Sequence, residues 1–479
     1  MAVACGKGRQ TVNGGNRKQG QNGNSWGSAA PAKFLTFTAS KQLNRCLLIL
    51  VSGILPCFSG CDSEIKGFSG NQVFARRLEL TEQISMEQPL KDAQQLLEQL
   101  FGTPDEPQWP SRLAGEDTLA LVSLEHLQRA AGAVSSDEQG RHRGLYREHC
   151  VTCHGFSGNG LGPSAALLNP YPRDFRMGKF KFKKVPLGVK PSKKDLETLL
   201  HRGVVGTGMP AFHLLPQEDI DALVDYVIYL AVRGEAERQL LAFAGTQLAL
   251  EDGERLFDSD WRASTEEDDL DRLAEAEKYV KDVIEEWHVS WVDEYESPLP
   301  PPDFPLVTTS ASRREPEVQE SIRRGKELFQ GNVASCAFCH GMEAAGDGQR
   351  NNYDDWTRDY TSEAGLNPAD RDELEPMLNI GALKPRPIAP RNLQLGNFRG
   401  GSSPSELYLR IVNGIEGTPM PAAPMRPQNP QGLTDEQVWD LVNYLLSMGD
   451  PATDESTSVK TPDDEAGAGA SSGKESVDG

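Results

Sequence analysis

A chain of 479 residues is longer than one hydrophobic core organises, so two or three domains are expected. A formal charge of −21 excludes a nucleic-acid binder, which needs concentrated positive charge against phosphate. With 38% hydrophobic residues the chain is globular, with room for segments that bury little.

Residues 1–60 hold seven Lys or Arg and no acid, so losing them takes the charge from −21 to −28. Lys33, Lys41 and Arg45 precede an apolar run from Cys46 to Phe58 that suits a signal-peptide core and is short for a membrane span. Residues 1–60 therefore read as a leader removed on export. Phe58-Ser59-Gly60-Cys61 resembles a bacterial lipobox, although Phe58 departs from the usual residue three places before the cysteine. The expectation is a protein in the periplasm or at the outer face of the cytoplasmic membrane, lipid-anchored through Cys61. Ordinary cleavage without a lipid is the alternative. Cys5, Cys46, Cys57 and Cys61 belong to this region, the other four of the eight cysteines form two close pairs, and none is left for a disulfide.

Residues 61–136 form a helical preface in which Ala93, Leu96, Leu97 and Leu100 keep helical spacing up to Gly102-Thr103-Pro104. A first unit spans 137–234 and a second 313–450. Each is expected to open on a helix, reach Cys-x-x-Cys-His and close on another helix. Between them, 235–312 is a connector in which Leu270, Leu273, Val280, Ile284, Trp287 and Trp291 make an apolar stripe, interrupted where Glu277 takes an apolar place. That helix starts after Ser264, with Glu267 completing a capping box, and yields to the extended run Pro298-Leu299-Pro300-Pro301-Pro302. The tail 451–479 is acidic, lacks aromatics and is expected to be disordered.

Cys150-Val151-Thr152-Cys153-His154 and Cys336-Ala337-Phe338-Cys339-His340 carry the chemistry. Two thiols two residues apart add across the two vinyl groups of a haem, and the adjacent histidine reaches the iron from the same face. Zinc uses similar pairs but needs four ligands, and a thioredoxin-like pair would open a helix after a strand. Two copies, each with His attached and Gly155 or Gly341 following, fit covalent haem better.

A second axial ligand has matched candidates. Gly206-Thr207-Gly208-Met209-Pro210 follows the first motif and Gly417-Thr418-Pro419-Met420-Pro421 the second. The match continues upstream, where Pro172-Arg173-Asp174-Phe175 parallels Pro390-Arg391-Asn392-Leu393. Ser192 and Asp195 open a short helix ending near Gly203. Ser403, Pro404 and Glu406 open its counterpart, ending near Gly414. His201, His213, Met177 and Met425 are rival ligands, but His340 is the last histidine of the chain.

Arg173 and Arg391 occupy equivalent positions and are candidates for pairing with haem propionates. Arg176, Lys179, Lys181, Lys183, Lys184, Lys190, Lys193 and Lys194 make a basic stretch, read either as a solvated loop or as a docking patch for an acidic redox partner or anionic lipid.

With a helix ahead of each haem motif, a Met-Pro loop behind it and the apolar closing helices Ile220 to Ile228 and Val438 to Leu445, the chain resembles the class I cytochrome c family over about half its length. The resemblance implies a mainly α fold: two tandem cytochrome c-like domains joined by a helical connector, with two covalently bound haem c groups. It implies His154 and His340 as proximal ligands, with Met209 and Met420 as distal ones. The stretch from His340 to Met420 exceeds the family's minimal pattern, and its acidic part around Tyr353 to Glu375 is a candidate partner surface. The expected function is one-electron transfer, as a soluble-domain carrier or as the cytochrome subunit of a respiratory complex, between redox partner proteins. The alternatives are a dihaem enzyme of the cytochrome c peroxidase type and a dehydrogenase subunit.

Overall fold

The computed structural model describes residues 67–115, 121–292, 297–350 and 353–449, so the expected leader, Cys61 and the tail 451–479 lie outside the described residues. The described chain is mainly helical.

The preface forms α1 (Gln72–Glu82), α2 (Glu87–Phe101) and α3 (Leu124–Ala130). Asn71 opens α1 by accepting from the Phe74 N–H, and Ser123 opens α3 by accepting from that of His126. On α2 the predicted stripe is buried, Ala93, Leu96 and Leu97 completely. The preface is not a separate layer, because its apolar residues share one core with the first unit and the connector, from Phe68 to Trp287. Tyr226 and Tyr229 donate their hydroxyls to the carbonyls of Pro104 and Phe101, which satisfies two buried phenols.

The first unit does not open on a helix at Asp137. Residues 135–143 form a small hairpin, β1 (Ser135–Ser136) against β2 (His142–Arg143). The Asp137 carboxylate accepts from the N–H groups of Gln139 and Arg141, and Gly140 takes a positive φ that closes the turn. Only α4 (Leu145–His149) and α5 (Val151–His154) lead through the haem motif. The longer helix that packs on the unit's closing helix is α3, seven residues ahead of the expected boundary at its nearest end. Local turn chemistry therefore overrides the helical reading of 137–144.

After α6 (Lys193–Arg202), the closing helix α7 (Gln217–Gln247) runs straight past the expected boundary at 234. Gly234 is not a terminator. A Cβ there would meet Arg176, so the glycine lets a neighbouring turn lie against the helix. Beyond it, Ala236, Leu240, Leu241 and Ala244 are fully buried and keep the helix amphipathic.

The connector helix α8 (Glu267–Val292) packs on α7 through Leu273, Ala276, Val280, Val283, Ile284 and Trp287, while Leu270 stays exposed and the Trp291 side chain lies outside the described residues. Trp287 donates its indole N–H to Glu235 at 2.9 Å. Glu277, the break in the stripe, is buried between Arg112 and Arg262. The expected Ser264 and Glu267 capping box takes another form, with the Ser264 hydroxyl accepting from the Glu266 N–H and donating to Asp269. The proline run has no regular structure, and its Pro298 carbonyl accepts from Ser405 at 2.8 Å.

The second unit comprises α9 (Pro316–Gln330), α10 (Cys336–His340), α11 (Arg371–Asn379), α12 (Pro404–Asn413) and α13 (Asp435–Met448). Helices α9 and α13 cross at Gly325, where a Cβ would run into the Asp440 carbonyl. Asp440 fixes the crossing, accepting from Ser321 at 2.6 Å and from both Nε and Nη2 of Arg324.

The long segment between His340 and Met420 folds back on the first unit. Asp359 takes two hydrogen bonds from Arg238 on α7, at 2.7 and 3.0 Å, and Glu363 pairs with Arg77 on α1. Arg386 donates to the carbonyls of Leu168 and Ala166 with its guanidinium 3.9 Å from the Tyr171 ring centroid. Tyr360, Leu374 and Met377 form a small core that Val73 joins. Within the stretch expected as a partner surface, 353–361 is thus largely an internal clasp, while 362–373 stays exposed or half-exposed. Among the described residues no helix is long and apolar enough to cross a membrane.

Candidate functional site

The two haem motifs are built alike. In each, the glycine after the histidine takes a positive φ (Gly155 at 72°, Gly341 at 80°) and reverses the chain. The return strand is pinned when the N–H groups of Gly160 and Gly346 bond the carbonyls of His154 and His340. Then Phe175 N–H bonds the Gly158 carbonyl, and Leu393 N–H that of Ala344. Asp174 and Asn392 cap equivalent 3-10 turns by accepting from the N–H two residues on, and Gly178 and Gly396 end both turns in the left-handed region. The repeat therefore extends into the glycine-rich loops 155–162 and 341–348, which sequence reasoning did not use. The signal was glycine at matching offsets after each histidine.

These turns bring a carbonyl to each imidazole. His154 Nδ1 lies 3.0 Å from the Arg173 oxygen and His340 Nδ1 lies 3.1 Å from the Arg391 oxygen. A carbonyl only accepts, so Nδ1 carries the proton and Nε2 keeps its lone pair for a metal. Burial pushes the His154 imidazole down to about 4 and lowers His340 as well, so both are neutral near pH 7. The His154 ring stacks on Phe175 with centroids 4.5 Å apart. No disulfide joins the four described cysteines, and burial pushes the Cys150 thiol up to about 12 and that of Cys336 to about 11.

The methionine loops repeat just as closely. Helices α6 and α12 open on the expected capping boxes, Ser192 with Asp195 and Ser403 with Glu406, and both end at a glycine, Gly203 at φ 65° and Gly414 at φ 67°. A Cβ on either glycine would sit 2.6 Å from the carbonyl carbon of Pro210 or Pro421, so only glycine lets the loop close. The Val204 and Ile415 N–H groups bond the Met209 and Met420 carbonyls, both at 3.1 Å. Thr207 donates its hydroxyl to Val204 and accepts from the Met209 N–H. Thr418 does the same with Ile415 and Met420. The Gly-Thr-x-Met-Pro frame is thus a self-bonded loop that presents one thioether.

The rival ligands have other places. His201 Nε2 lies 3.2 Å from Gln217 Oε1, and His213 is exposed. Met177 sits in the Asp174-capped turn, and Met425 bridges to Leu433 against the second core. No three His, Cys, Asp or Glu side chains converge on a metal-sized site among the described residues, so the zinc alternative lacks a donor set.

Most of the basic stretch is neither a solvated loop nor an open patch. Arg176 is buried on Asp174, Lys183 on Glu416 and Lys190 on Glu235, and the half-buried Lys193 pairs with Asp225. Lys181 reaches Asp354, and Arg410 donates to the carbonyls of Lys181 and Lys183. The Asn413 amide donates to Lys184 O at 2.6 Å. Its 181–184 part lies on the seam between the two haem units, and partners such as Glu416 and Asp225 lie too far along the chain to be read from local charge.

Fit to a haem is testable on the protein alone. A haem brings two vinyls, one iron and two propionate carboxylates. Each unit offers two thiols, a neutral imidazole and a thioether loop. The buried Nε atoms of Arg391 and Arg399 and the Trp356 indole N–H have no acceptor among the described residues. Donors left over beside the motifs suit the carboxylates, and the donor set suits the iron.

This constellation, built twice, defines a c-type cytochrome. Residues 138–227 match the family of cytochrome c oxidase, cbb3-type, subunit III, and residues 322–449 match the cytochrome c family. The chain is a dihaem class I c-type cytochrome, an electron carrier with two covalently attached haems. No curated protein matches it. Among solved structures, a chain of the reducing HAO-like protein complex of Kuenenia stuttgartiensis aligns at 22% identity and a TM-score of 0.39, over 66% of this chain and 99% of that one.

Proposed function

We propose that the protein passes single electrons between redox partner proteins at the outer face of a membrane, as a soluble-domain carrier or as the cytochrome subunit of a respiratory complex. In this reading Cys150 with Cys153, and Cys336 with Cys339, hold the two haems through thioethers. His154 and Met209 ligate the first iron, and His340 and Met420 the second. The haem supplies reversible Fe(III)/Fe(II) exchange when bound. The chain's own groups do the rest. Arg173 O and Arg391 O hold each imidazole proton on Nδ1, and Thr207 and Thr418 hold each sulfur loop closed. The self-bonded loops would offer each iron a thioether, which would favour a higher potential over the binding of peroxide or oxygen.

The observation that carries this reading is the shared build of the two methionine loops, each closed by the same threonine hydroxyl and the same backbone bond, because a peroxidase-type enzyme keeps one iron open or displaceable. Export through the leader and anchoring through Cys61 complete the proposal. The test is stopped-flow oxidation by a soluble c-type cytochrome, with and without peroxide. Electron exchange with no peroxide turnover is expected, and turnover of peroxide would replace the carrier by the enzyme. Membrane-bound protein that becomes soluble in Cys61→Ala is the expected localisation result, and the same fractionation for both forms would remove the anchor.

A further inference from the structure

The repeat arginines do not stay with their own units. Arg391 belongs to the second unit, where its backbone carbonyl holds His340. Its side chain reaches the methionine loop of the first, and a Cβ added to Gly206 would sit 3.4 Å from Arg391 Nη1. Arg399 follows it, with Nη2 3.4 Å from the Gly206 carbonyl. In the reverse direction, the Arg173 guanidinium lies 4.2 Å from the ring centroid of Trp356, a residue of the second unit's clasp.

Arg391 and Arg399 are half-buried beside one another, and among the described residues no carboxylate is bonded to either. Burial, then the like charge of Arg391, hold the Arg399 guanidinium below its ordinary value, and Asp354 only partly offsets them. Two guanidiniums keep such company where an anion completes the set. Their buried Nε atoms have no acceptor among the described residues, and the Trp356 indole N–H adds a third such donor. The place is the edge of the first methionine loop, at Gly206, one residue before the Thr207 that bonds the Met209 amide.

We propose that Arg391 and Arg399 form a carboxylate seat for the propionate edge of the first haem, supplied across the seam by the second unit. Arg391 is then a positioning residue for both sites, through its carbonyl at His340 and through its guanidinium at the first haem. The second unit thereby sets the potential of the first. The proposal rests on the ligation given under Proposed function.

The experiment is a potentiometric titration of the matured, dihaem protein followed by optical and EPR spectra, for the wild type, R391Q, R391K and R399Q. A Met209→His form labels which titration step belongs to the first haem, because only that haem then loses its sulfur-to-iron band. Gln keeps the backbone carbonyl and removes the charge. R391Q and R399Q are therefore expected to lower the first haem's potential more than the second's, since a lost cation favours the ferric state. R391K is expected to lie between wild type and R391Q. A shift confined to the second haem, or none, would overturn the proposal. So would a wild-type potential that moves with phosphate at constant ionic strength, which would make the seat one for solution anions. Loss of a haem, or of the sulfur band in wild type, is a separate outcome that strikes the ligation itself.

Discussion

Thr207 bonds both ends of its own loop, its hydroxyl donating to the Val204 carbonyl at 2.8 Å and accepting from the Met209 N–H at 3.1 Å. Thr418 stands in the same relation to Ile415 and Met420. The two sulfur loops are held by a hydroxyl that touches neither the thiols nor the imidazole.

Replacing that hydroxyl by a methyl takes away the partner of the methionine N–H, at about 1–3 kcal/mol where that group stays out of water. Thr207→Val is expected to loosen the first methionine alone, and Thr418→Val the second alone. Imidazole binding to the ferric protein checks this, with tighter binding at one haem of two in each variant. Equal binding in variants and wild type would show that the loops hold without the threonines.

Gly325→Ala forces a methyl into the Asp440 carbonyl at the crossing of α9 and α13. Overpacking of this kind costs about 1–3 kcal/mol, so the variant should unfold several degrees lower in a thermal scan monitored by far-UV circular dichroism. Gly234→Ala tests the corresponding approach of Arg176 to α7, and a variant as stable as wild type would mean the turn moves aside.

Asp359 gives the clasp a pH dependence. Burial would raise its carboxyl, but the Arg238 guanidinium, bonded twice, outweighs burial and holds it below the usual value. A carboxyl lowered in the folded state stabilises fully above the unfolded value, near 3.9, and loses that contribution as pH falls through the lower folded value. Acid unfolding should therefore be less steep in Asp359→Asn than in wild type, with the difference confined to the range below about pH 5. Parallel acid profiles would contradict the pairing.

Arg386→Ala removes two hydrogen bonds to the 166–168 carbonyls and the stacking on Tyr171. The clasp is then expected to open more often, seen as faster amide exchange over 353–386 with α13 unchanged. Uniform exchange rates would mean that the remaining contacts, Asp359 and the Tyr360 core, suffice.

What was legible from sequence was local. The capping pairs Ser192 with Asp195 and Ser403 with Glu406, the glycines ending both short helices, and the threonine-methionine frames need only neighbours within a few residues. The mainly helical fold and both haem domains follow from the same signals. What was not legible depends on distant partners. The run of α7 past the expected boundary at 234 was not legible because Arg176, for which the missing side chain of Gly234 leaves room, lies far back in the sequence. The basic stretch looked like an open surface because Glu235, Asp225 and Glu416 come from other elements. The hairpin at 135–143 rests on one carboxylate, Asp137, whose turn competes with a helix of ordinary composition.

The most direct test of the account is iron content read together with the near-infrared spectrum of the ferric protein, produced with a working haem-attachment system. Two irons per chain, both low-spin and each with a sulfur-to-iron charge-transfer band, are predicted. One iron per chain, or a high-spin haem at rest, would contradict it.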